Sequence, residues 1–390
     1  MTVEFNQATA DALRTQLVAR QNELRALMRG LVETESPSGD LAGSRAVGTL
    51  LADAARNLPG VNSVERIPAA DYGEHLRIQL YTDDAHAART TLLIGHTDTV
   101  HPRGSLAARP WRESEGRIYG PGLFDMKANC ALALEALRAC ASVGLTPPRP
   151  VVLLLTCDEE TGSHNGRALV EAEARRAAQV LVLEPPAPGG RVKTGRKGTG
   201  MYTLTVMGRA AHAGLDPEKG ASAILELARQ IERLHALNEP ATGTTVNVGV
   251  IGGGTRSNVV AAEAHAEIDV RFNTSAAALR LDEAIRGLRP QDERTRLTIA
   301  GEINRPPLER TSAVVRLYQH ARQLAATLDY ELGETQVGGA SDANFAAALC
   351  PAVLDGLGVA GDGAHADHEH IIAADLVPRG ALLAALIGTL

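Results

Sequence analysis

The fold is decided by the stretch Thr90-Thr-Leu-Leu-Ile-Gly-His-Thr-Asp-Thr-Val100. Its apolar run does not alternate with polar residues, which is typical of a short strand covered on both faces. Gly95 lets the backbone turn where the strand ends. His96 and Asp98 follow at i and i+2, so their side chains point the same way in an extended segment. An imidazole beside a carboxylate is a common metal ligand pair, and we predict that other acidic and histidine residues converge here.

Acidic residues also follow two further apolar stretches directly. Val151-Val-Leu-Leu-Leu-Thr156 precedes Asp158-Glu-Glu160, and Val180-Leu-Val-Leu183 precedes Glu184. Strands that alternate with helices predict an α/β sheet with parallel strands, whose ligands bind at the carboxyl ends of the strands. Carboxylates buried at such ends are costly to leave unpaired. A shared cation explains them, together with Asp125 at the start of a predicted helix.

The pattern of elements changes near Gly198. The chain has 390 residues, more than a single core usually serves, so we expect two domains. Between 198 and 305 the order is strand, helix, strand, strand, helix, strand, which is that of an α+β split βαβ (ferredoxin-like) domain. From Pro306 the α/β pattern returns. We therefore predict a main domain over 1–197 and 306–390 with an inserted domain over 198–305.

Composition and charge exclude several kinds of partner. The formal net charge is −7, which argues against nucleic acid because no basic stripe is available for phosphates. No apolar run reaches the roughly 18 residues of a membrane span. The N-terminal residues do not resemble a secretory signal, and the four cysteines show no paired spacing. We expect a cytoplasmic protein with no nucleic-acid or membrane partner.

A histidine-rich segment near the end of the chain completes a possible ligand set. It is Gly363-Ala-His-Ala-Asp-His-Glu-His370. Histidines together with two or three carboxylates suit zinc, and a carboxylate can bridge two ions about 3.5–4 Å apart. Each acid taken alone is better explained as a helix cap or an ion pair. The ordered set favours a metal site.

Five ordered segments resemble those of the co-catalytic zinc metallopeptidases. That family includes glutamate carboxypeptidase (carboxypeptidase G), acetylornithine deacetylase, succinyl-diaminopimelate desuccinylase and aminoacylase. The five segments are Gly95-His-Thr-Asp-Thr99, Gly120-Pro-Gly-Leu-Phe-Asp-Met-Lys127, Asp158-Glu-Glu-Thr-Gly162, Glu184-Pro185 and Gly363-Ala-His365. The resemblance implies a zinc-peptidase catalytic domain with a mixed sheet flanked by helices, and an inserted domain that serves as a lid or for dimerisation.

The resemblance also implies a role for each residue of the metal site. Five residues would bind two Zn²⁺ ions per subunit: His96 and Glu184 one ion, Glu160 and His365 the other, and Asp125 both. Asp98 would orient His96 without binding metal. Glu159 would be the general base that takes a proton from water and passes it to the leaving nitrogen. Cobalt or manganese could substitute for zinc. The family often has a cis peptide after the bridging aspartate.

Four residues of the inserted segment resemble substrate-contacting residues of the family. His212 would reach the active site of a partner subunit and stabilise the oxyanion, which implies a homodimer formed through the inserted domain. Asn258 and Arg271 would bind the carboxylate or carbonyl of the substrate. Arg305 and the Gly338–Asp342 loop match the glutamate carboxypeptidase branch, and arginine suits a carboxylate.

The resemblance implies hydrolysis of an amide (C–N) bond in a short peptide or N-acyl amino acid with a free C-terminal carboxylate. The glutamate carboxypeptidase branch fits best, because of the Gly120–Lys127 segment, Arg305 and Gly338-Gly339. The alternative is an N-acyl-amino-acid deacylase of the acetylornithine deacetylase or desuccinylase type. A metal-stabilised binding protein without catalysis is a third hypothesis, and the presence of Glu159 argues against it.

Overall fold

The chain divides into two compact units in a computed structural model that describes residues 5–82 and 89–390. Unit 1 consists of the chain up to Thr194 together with Arg310–Val337 and Ser341–Leu390, and unit 2 consists of Gly195–Glu309 and Gly338–Ala340. The boundaries predicted from the sequence, at 197/198 and 305/306, lie close to those between the units.

The elements of the described residues are as follows. The helices are α1 Gln7–Ala19, α2 Gln21–Glu33, α3 Leu41–Arg56, α4 Ser105–Ala108, α5 Ala128–Ser142, α6 Arg167–Arg176, α7 Ala223–His235, α8 Ser275–Arg286, α9 Ser312–Thr327, α10 Asp342–Ala347 and α11 Leu376–Thr389. The strands are β1 Val61–Ala69, β2 Gly73–Leu80, β3 Thr90–His96, β4 Arg112–Ser114, β5 Arg117–Tyr119, β6 Val151–Thr156, β7 Ala177–Val182, β8 Val192–Arg196, β9 Gly198–Met207, β10 Thr245–Gly253, β11 Glu263–Phe272, β12 Arg296–Arg305, β13 Glu334–Val337, β14 Val353–Leu354, β15 Gly361–Asp362 and β16 His370–Ile372. Short helical turns lie at Leu123–Lys127, Glu159–Thr161, Pro217–Lys219, Pro240–Thr242 and Ala373–Asp375.

The main sheet of unit 1 has six strands in the order β1-β2-β6-β3-β7-β14. β3 is parallel to both of its neighbours, β6 and β7, and β14 is parallel to β7. β1 and β2 add an antiparallel edge. Every residue of β3 is buried, as expected for a parallel strand covered on both faces. The predicted mixed sheet flanked by helices is therefore confirmed.

Helices supply the rest of the unit 1 core. α5 is buried along almost its whole length and packs against α1, α2 and α11. Its sequence, rich in Ala and Leu, allows this close packing because small side chains let helices approach each other. Their apolar faces merge with those of β3, β6 and β7 into one core. No helix of the described residues is long and apolar enough to cross a membrane.

The N-terminal helix differs from the sequence-based expectation. The apolar spacing predicts one helix from Asn6 to about Glu35, whereas the structure has two helices that meet at Arg20. Arg20 leaves the helical conformation, with φ −108° and ψ 13°. Its guanidinium donates to both carboxylate oxygens of Glu135 at 2.7 and 3.1 Å. Neither Gly nor Pro marks this break, so the pattern alone could not reveal it.

Unit 2 contains a four-stranded antiparallel sheet with the order β10-β11-β9-β12. The element order β9-α7-β10-β11-α8-β12 is that of the split βαβ sandwich expected from the sequence. Side chains on one face of β9 and β11 pack with α7 and α8 into a separate core. The other face is more exposed, which antiparallel sheets allow.

Candidate metal centre

Three neighbouring parallel strands bring three of the five predicted metal ligands, His96, Glu160 and Glu184, to one edge of the sheet in unit 1. His96 is the last residue of β3 and pairs in register with Thr156, the last residue of β6. On the other side of β3, Ile94 pairs with Val182, the last residue of β7. The acids that follow β6 and β7 must therefore emerge at the edge where His96 lies. The sequence-based prediction that ligands gather at the carboxyl ends of these strands rests on the same argument.

Asp125 lies between two imidazoles. Its Oδ1 is 3.2 Å from Nε2 of His96, and its Oδ2 is 3.5 Å from Nε2 of His365. Glu184 Oε1 lies 3.7 Å from Nε2 of His96, and Glu160 Oε2 lies 3.1 Å from Nε2 of His365. Each imidazole thus faces two carboxylates, and one of the two carboxylates is shared. The peptide bond that follows Asp125 is cis.

Glu159 lies at the same cluster as these residues. Ligand atoms of His96, Glu159 and Glu184 lie within 4.8 Å of one another, and so do those of His96, Asp125 and Glu160. Glu159 and Glu160 open a short helical turn rather than continuing β6. Because the backbone turns there, both carboxylates can face the cluster although the two residues are adjacent in sequence.

The hydrogen bonds of His96 leave one ring nitrogen for a cation. Nδ1 lies 3.0 Å from the backbone carbonyl of Asp98, and since a carbonyl only accepts, Nδ1 carries a proton. Nε2 then faces the carboxylates of Asp125 and Glu184, which are also acceptors. Burial opposes a charged imidazole, but hydrogen bonds with Asp125 and Asp98 outweigh it and raise the pKa of His96 well above its usual value. A proton or a metal ion must occupy this position.

The second imidazole has a similar environment. Hydrogen bonds with Asp125 and Glu160 raise the pKa of His365 to about 10. Burial opposes the charge of Asp125, but hydrogen bonds from His365 and His96 hold the pKa of that carboxyl below its usual range. The other oxygen of Glu160, Oε1, is buried and has no hydrogen-bond partner within the described chain. Imidazole and carboxylate donors with an unsatisfied buried oxygen fit a divalent cation.

Asp98 does more than sequence reasoning assigned to it. Its carboxylate lies 3.4 Å from Nδ1 of His96. It also accepts hydrogen bonds from the backbone N–H groups of Glu159 and Glu160 at 3.2 and 3.1 Å, and from the hydroxyl of Ser38 at 2.6 Å. One buried carboxylate therefore contacts a candidate ligand from β3 and fixes the turn that carries two acids after β6.

The four predicted residues of unit 2 fall into two pairs. Arg271 and Arg305 flank Thr199, since both pair with it in register from either side of β9. His212 and Asn258 lie beyond the other end of β9, where Ala213 N–H donates to the carbonyl of Asn258 at 3.0 Å. Both of these residues are exposed. β9 has 10 residues, so about 30 Å of strand separates the two pairs.

The side chains of His212 and Arg271 have different hydrogen-bond partners within unit 2. The Nδ1 atom of His212 accepts from Gly214 N–H at 3.1 Å, so the proton of a neutral ring is on Nε2. Arg271 donates to both oxygens of Asp269 at 2.8 Å. An incoming carboxylate must share Arg271 with Asp269. Arg305 is buried at the end of β12.

The profile of peptidase family M20/M25/M40 matches residues 92–389. The chain belongs to this family. Its enzymes are metal-dependent hydrolases, and the M20 chain carries candidate metal-binding residues in the matched region. The predicted identity as a hydrolytic enzyme of the metallopeptidase family is confirmed.

Curated relatives of this M20 enzyme cover most of its length. Carboxypeptidase G2 of Pseudomonas sp. (strain RS-16) is 28% identical over 361 residues, which is 91% of this chain and 86% of the relative. Succinyl-diaminopimelate desuccinylase of Methylobacterium nodulans is 32% identical over 347 residues, 80% of this chain and 84% of the relative. Both kinds of relative were named by the resemblance.

Solved structures show the same fold. Aminopeptidase PepT of Bacillus cereus superimposes with a TM-score of 0.76 at 23% identity and covers 96% of this chain and 98% of its own. The M20 family metallo-carboxypeptidase Sso-CP2 of Sulfolobus solfataricus gives a TM-score of 0.67 at 17% identity, covering 94% and 98%. At these identities the likeness concerns the fold alone.

Proposed function

We propose that this M20 enzyme hydrolyses an amide bond in a short peptide or N-acyl amino acid with a free C-terminal carboxylate, in the manner of a glutamate carboxypeptidase. The observation that carries the proposal is the position of Asp125 between His96 and His365, with one further carboxylate beside each imidazole. His96 and Glu184 would bind one Zn²⁺, Glu160 and His365 the second, and Asp125 both. The two cations, when bound, supply Lewis-acid activation of a water molecule and of the scissile carbonyl.

The chain's own residues would move the proton. Glu159 lies at the cluster, where its carboxylate takes a proton from the attacking water and delivers it to the leaving nitrogen. Asp98 accepts hydrogen bonds from the backbone N–H groups of Glu159 and Glu160, so it would hold the turn from which Glu159 reaches the cluster. His212, with its proton on Nε2, can donate to the carbonyl oxygen as negative charge develops there.

The substrate carboxylate is assigned to the arginines of unit 2. Arg305 is buried at the end of β12, and Arg271 lies across β9 from it. Guanidinium groups bind carboxylates through paired N–H donors. Asp269 occupies two donors of Arg271, so an incoming carboxylate would share that guanidinium, and both arginines remain candidates. Asn258 would contact the substrate carbonyl from the other pair.

The distance between the two pairs supports a homodimer. A short peptide cannot touch Arg305 and His212 of one copy when about 30 Å of β9 lies between them. If both pairs act on one substrate, one pair comes from a second copy. The edge strand β10 exposes Val250 and Ile251, and α7 beside it exposes Ile224 and Leu225. An exposed edge strand with apolar residues is suited to pairing with a second copy.

The alternative is an N-acyl-amino-acid deacylase, favoured by the 32% identity to a desuccinylase. A substrate panel separates the two. N-aminoacyl, N-aroyl, N-acetyl and N-succinyl amino acids would be compared by kcat/KM, with acidic and basic amino acids in each class. The proposal expects preference for aminoacyl or aroyl glutamates. Preference for acetyl or succinyl groups on basic or diamino acids would select the alternative.

The identity of the metal and the location of the protein in the cell are parts of the same proposal. Metal analysis of the purified chain should give about two zinc ions per chain, with cobalt or manganese as substitutes, and a value near one would remove the bridging role of Asp125. A cytoplasmic location is supported by the four cysteines, which are buried and form no disulfide.

A further inference from the structure

A second buried carboxylate lies directly behind Asp125. Glu369 is 3% exposed, and its oxygens receive hydrogen bonds from three backbone N–H groups. Oε1 accepts from Phe124 at 2.8 Å and from Asp125 at 2.9 Å, and Oε2 accepts from Gly122 at 2.8 Å. These three amides belong to the turn that presents the Asp125 carboxylate. Among the described residues, no hydrogen bond joins the Glu369 side chain to His96 or His365.

A fourth donor reaches Glu369 from His101. Nε2 of His101 lies 2.5 Å from Oε2 of Glu369. Arg109 Nη1 lies 3.2 Å from Nδ1 of the same ring, and since arginine has only donors, Nδ1 must accept and Nε2 must carry the proton. Asp367 in turn pairs with Nη1 of Arg109 at 3.0 Å. The arginine therefore selects the tautomer that can donate to Glu369.

This arrangement joins two parts of the proposed metal centre. The turn that carries Asp125 and the segment that carries His365 are far apart in sequence, yet Glu369 lies four residues after His365 and is bonded to the turn. Both imidazoles contact Asp125. A displacement of the turn would therefore alter both halves of the cluster together.

We propose that Glu369 is a positioning residue that holds the Asp125 turn, with His101 fixed as a donor by Arg109. The inference rests on the proposed metal centre. Four donors converge on one carboxylate, and only an acceptor without hydrogens satisfies all of them. Glu369→Gln keeps the shape but turns an NH₂ group towards at least one donor, so it should loosen the turn without removing any metal ligand.

The test compares the metal-loaded full chain with Glu369→Gln in two measurements. Amide exchange in peptides covering 120–127 should be roughly tenfold faster in the variant, because these N–H groups lose their acceptor. Competition with a chelator should show metal affinity lowered by about 10–100-fold, as for other residues that orient ligands. The visible spectrum of the Co²⁺-loaded variant should also shift, since the geometry of the ligands changes.

Glu226 offers a matched control in unit 2. It is fully buried and accepts from the backbone N–H groups of Gln291 and Asp292 at 2.9 and 3.0 Å, and from the side chain of Gln230. Glu226→Gln removes a comparable anchor far from the metal ligands in sequence. It should raise exchange around 291–292 while metal affinity and the Co²⁺ spectrum stay as in the wild type.

The outcomes separate this inference from the proposed function. Wild-type exchange over 120–127 in Glu369→Gln, or equal metal loss in Glu226→Gln, overturns the inference. If the wild-type chain binds no divalent metal, the proposed function fails, and the exchange measurement still decides whether Glu369 holds the turn. If Glu369→Gln does not fold, Glu369→Asp withdraws both oxygens by one methylene. It should then raise exchange over 120–127, and unchanged exchange overturns the inference.

Discussion

Asp98 illustrates how much a single buried residue can organise. Its carbonyl and carboxylate lie against Nδ1 of His96, and the carboxylate also receives the backbone of Glu159 and Glu160. Burial opposes its charge, but the hydrogen bond and charge of His96, together with hydrogen bonds from Ser38 and the backbone of Glu160, outweigh burial and lower the pKa of this carboxyl. The side chain thus stays an acceptor, which all of its contacts require.

Asp98→Asn should cost less than His96→Ala. The amide can still accept on one oxygen, but its NH₂ group meets a donor on the other side. Metal affinity or kcat/KM should fall by about 10–100-fold, whereas His96→Ala removes a ligand and should lose far more. Ser38→Ala, which deletes one donor to the same carboxylate, is the control and should have a small effect. Equal losses in Asp98→Asn and His96→Ala would contradict these roles.

Glu159→Gln should separate proton transfer from metal binding. The substitution keeps the size of the side chain and removes its capacity to accept a proton, so kcat should fall by about 10²–10⁴-fold. The metal content should remain that of the wild type, measured on the same sample by atomic emission. If metal is lost together with activity, Glu159 is a metal ligand instead. Its position beside His96 and Glu184 would allow that role.

The residues at strand ends could be predicted from the sequence. Residues whose side chains bind the backbone of a distant loop could not. His96, Glu160 and Glu184 follow apolar runs, so the sequence itself places them at one sheet edge. Glu369 contacts the backbone of Asp125, which lies 244 residues away. Backbone N–H groups leave no sequence pattern, so nothing in the chain marks the acceptor that they need.

The length of strand β9 has consequences for assembly. It places Thr199 with the two arginines at one end and leads to His212 at the other.

The antiparallel sheet of unit 2, its helices and its strand order were predictable from hydrophobic alternation. The break between α1 and α2 was not, because it depends on a tertiary contact of Arg20 with Glu135.

Ile251→Asp on the edge strand β10 should disrupt the proposed dimer. Ile251 is 65% exposed, and burying an apolar side chain of this size stabilises an interface by about 1.5–3 kcal/mol. Across a twofold axis this contribution is made once by each copy. Light scattering after gel filtration should show monomers, with activity reduced and metal content kept. Leu279→Asp is the control, because Leu279 on α8 is 67% exposed in the same unit. A dimer that persists in Ile251→Asp excludes this strand as the interface.

In the chain as a whole, the proposed metal ligands lie in only one of the two units, whereas each unit has its own apolar core. All five proposed ligands belong to unit 1, and unit 2 has its own core. The α/β pattern that returns after Pro306 predicts this division, since a segment of different element order lies between two parts of one pattern. The place of Gly338–Ala340 in unit 2 could not be predicted, because three residues carry no periodicity.

Removal of the metal should destabilise unit 1 selectively. A ligand at 100 times its Kd contributes about 2.7 kcal/mol to the state that binds it. Hydrogen exchange measured with and without a chelator should therefore show faster exchange in β3, β6 and β7 after chelation, while β9 and β11 keep their protection. The wild type reloaded with zinc serves as the control. An equal loss of protection in both units would show that they unfold as one.

The chain enters and leaves unit 2 at neighbouring points. Arg196 N–H donates to the carbonyl of Leu308 at 3.0 Å, and Leu308 N–H donates back to Arg196 at 3.1 Å. A protein engineer could therefore cut out the segment between them and rejoin the chain with a short flexible linker. Because its ends are close, the segment could be exchanged between relatives, and such exchanges would show whether it sets assembly and specificity as proposed.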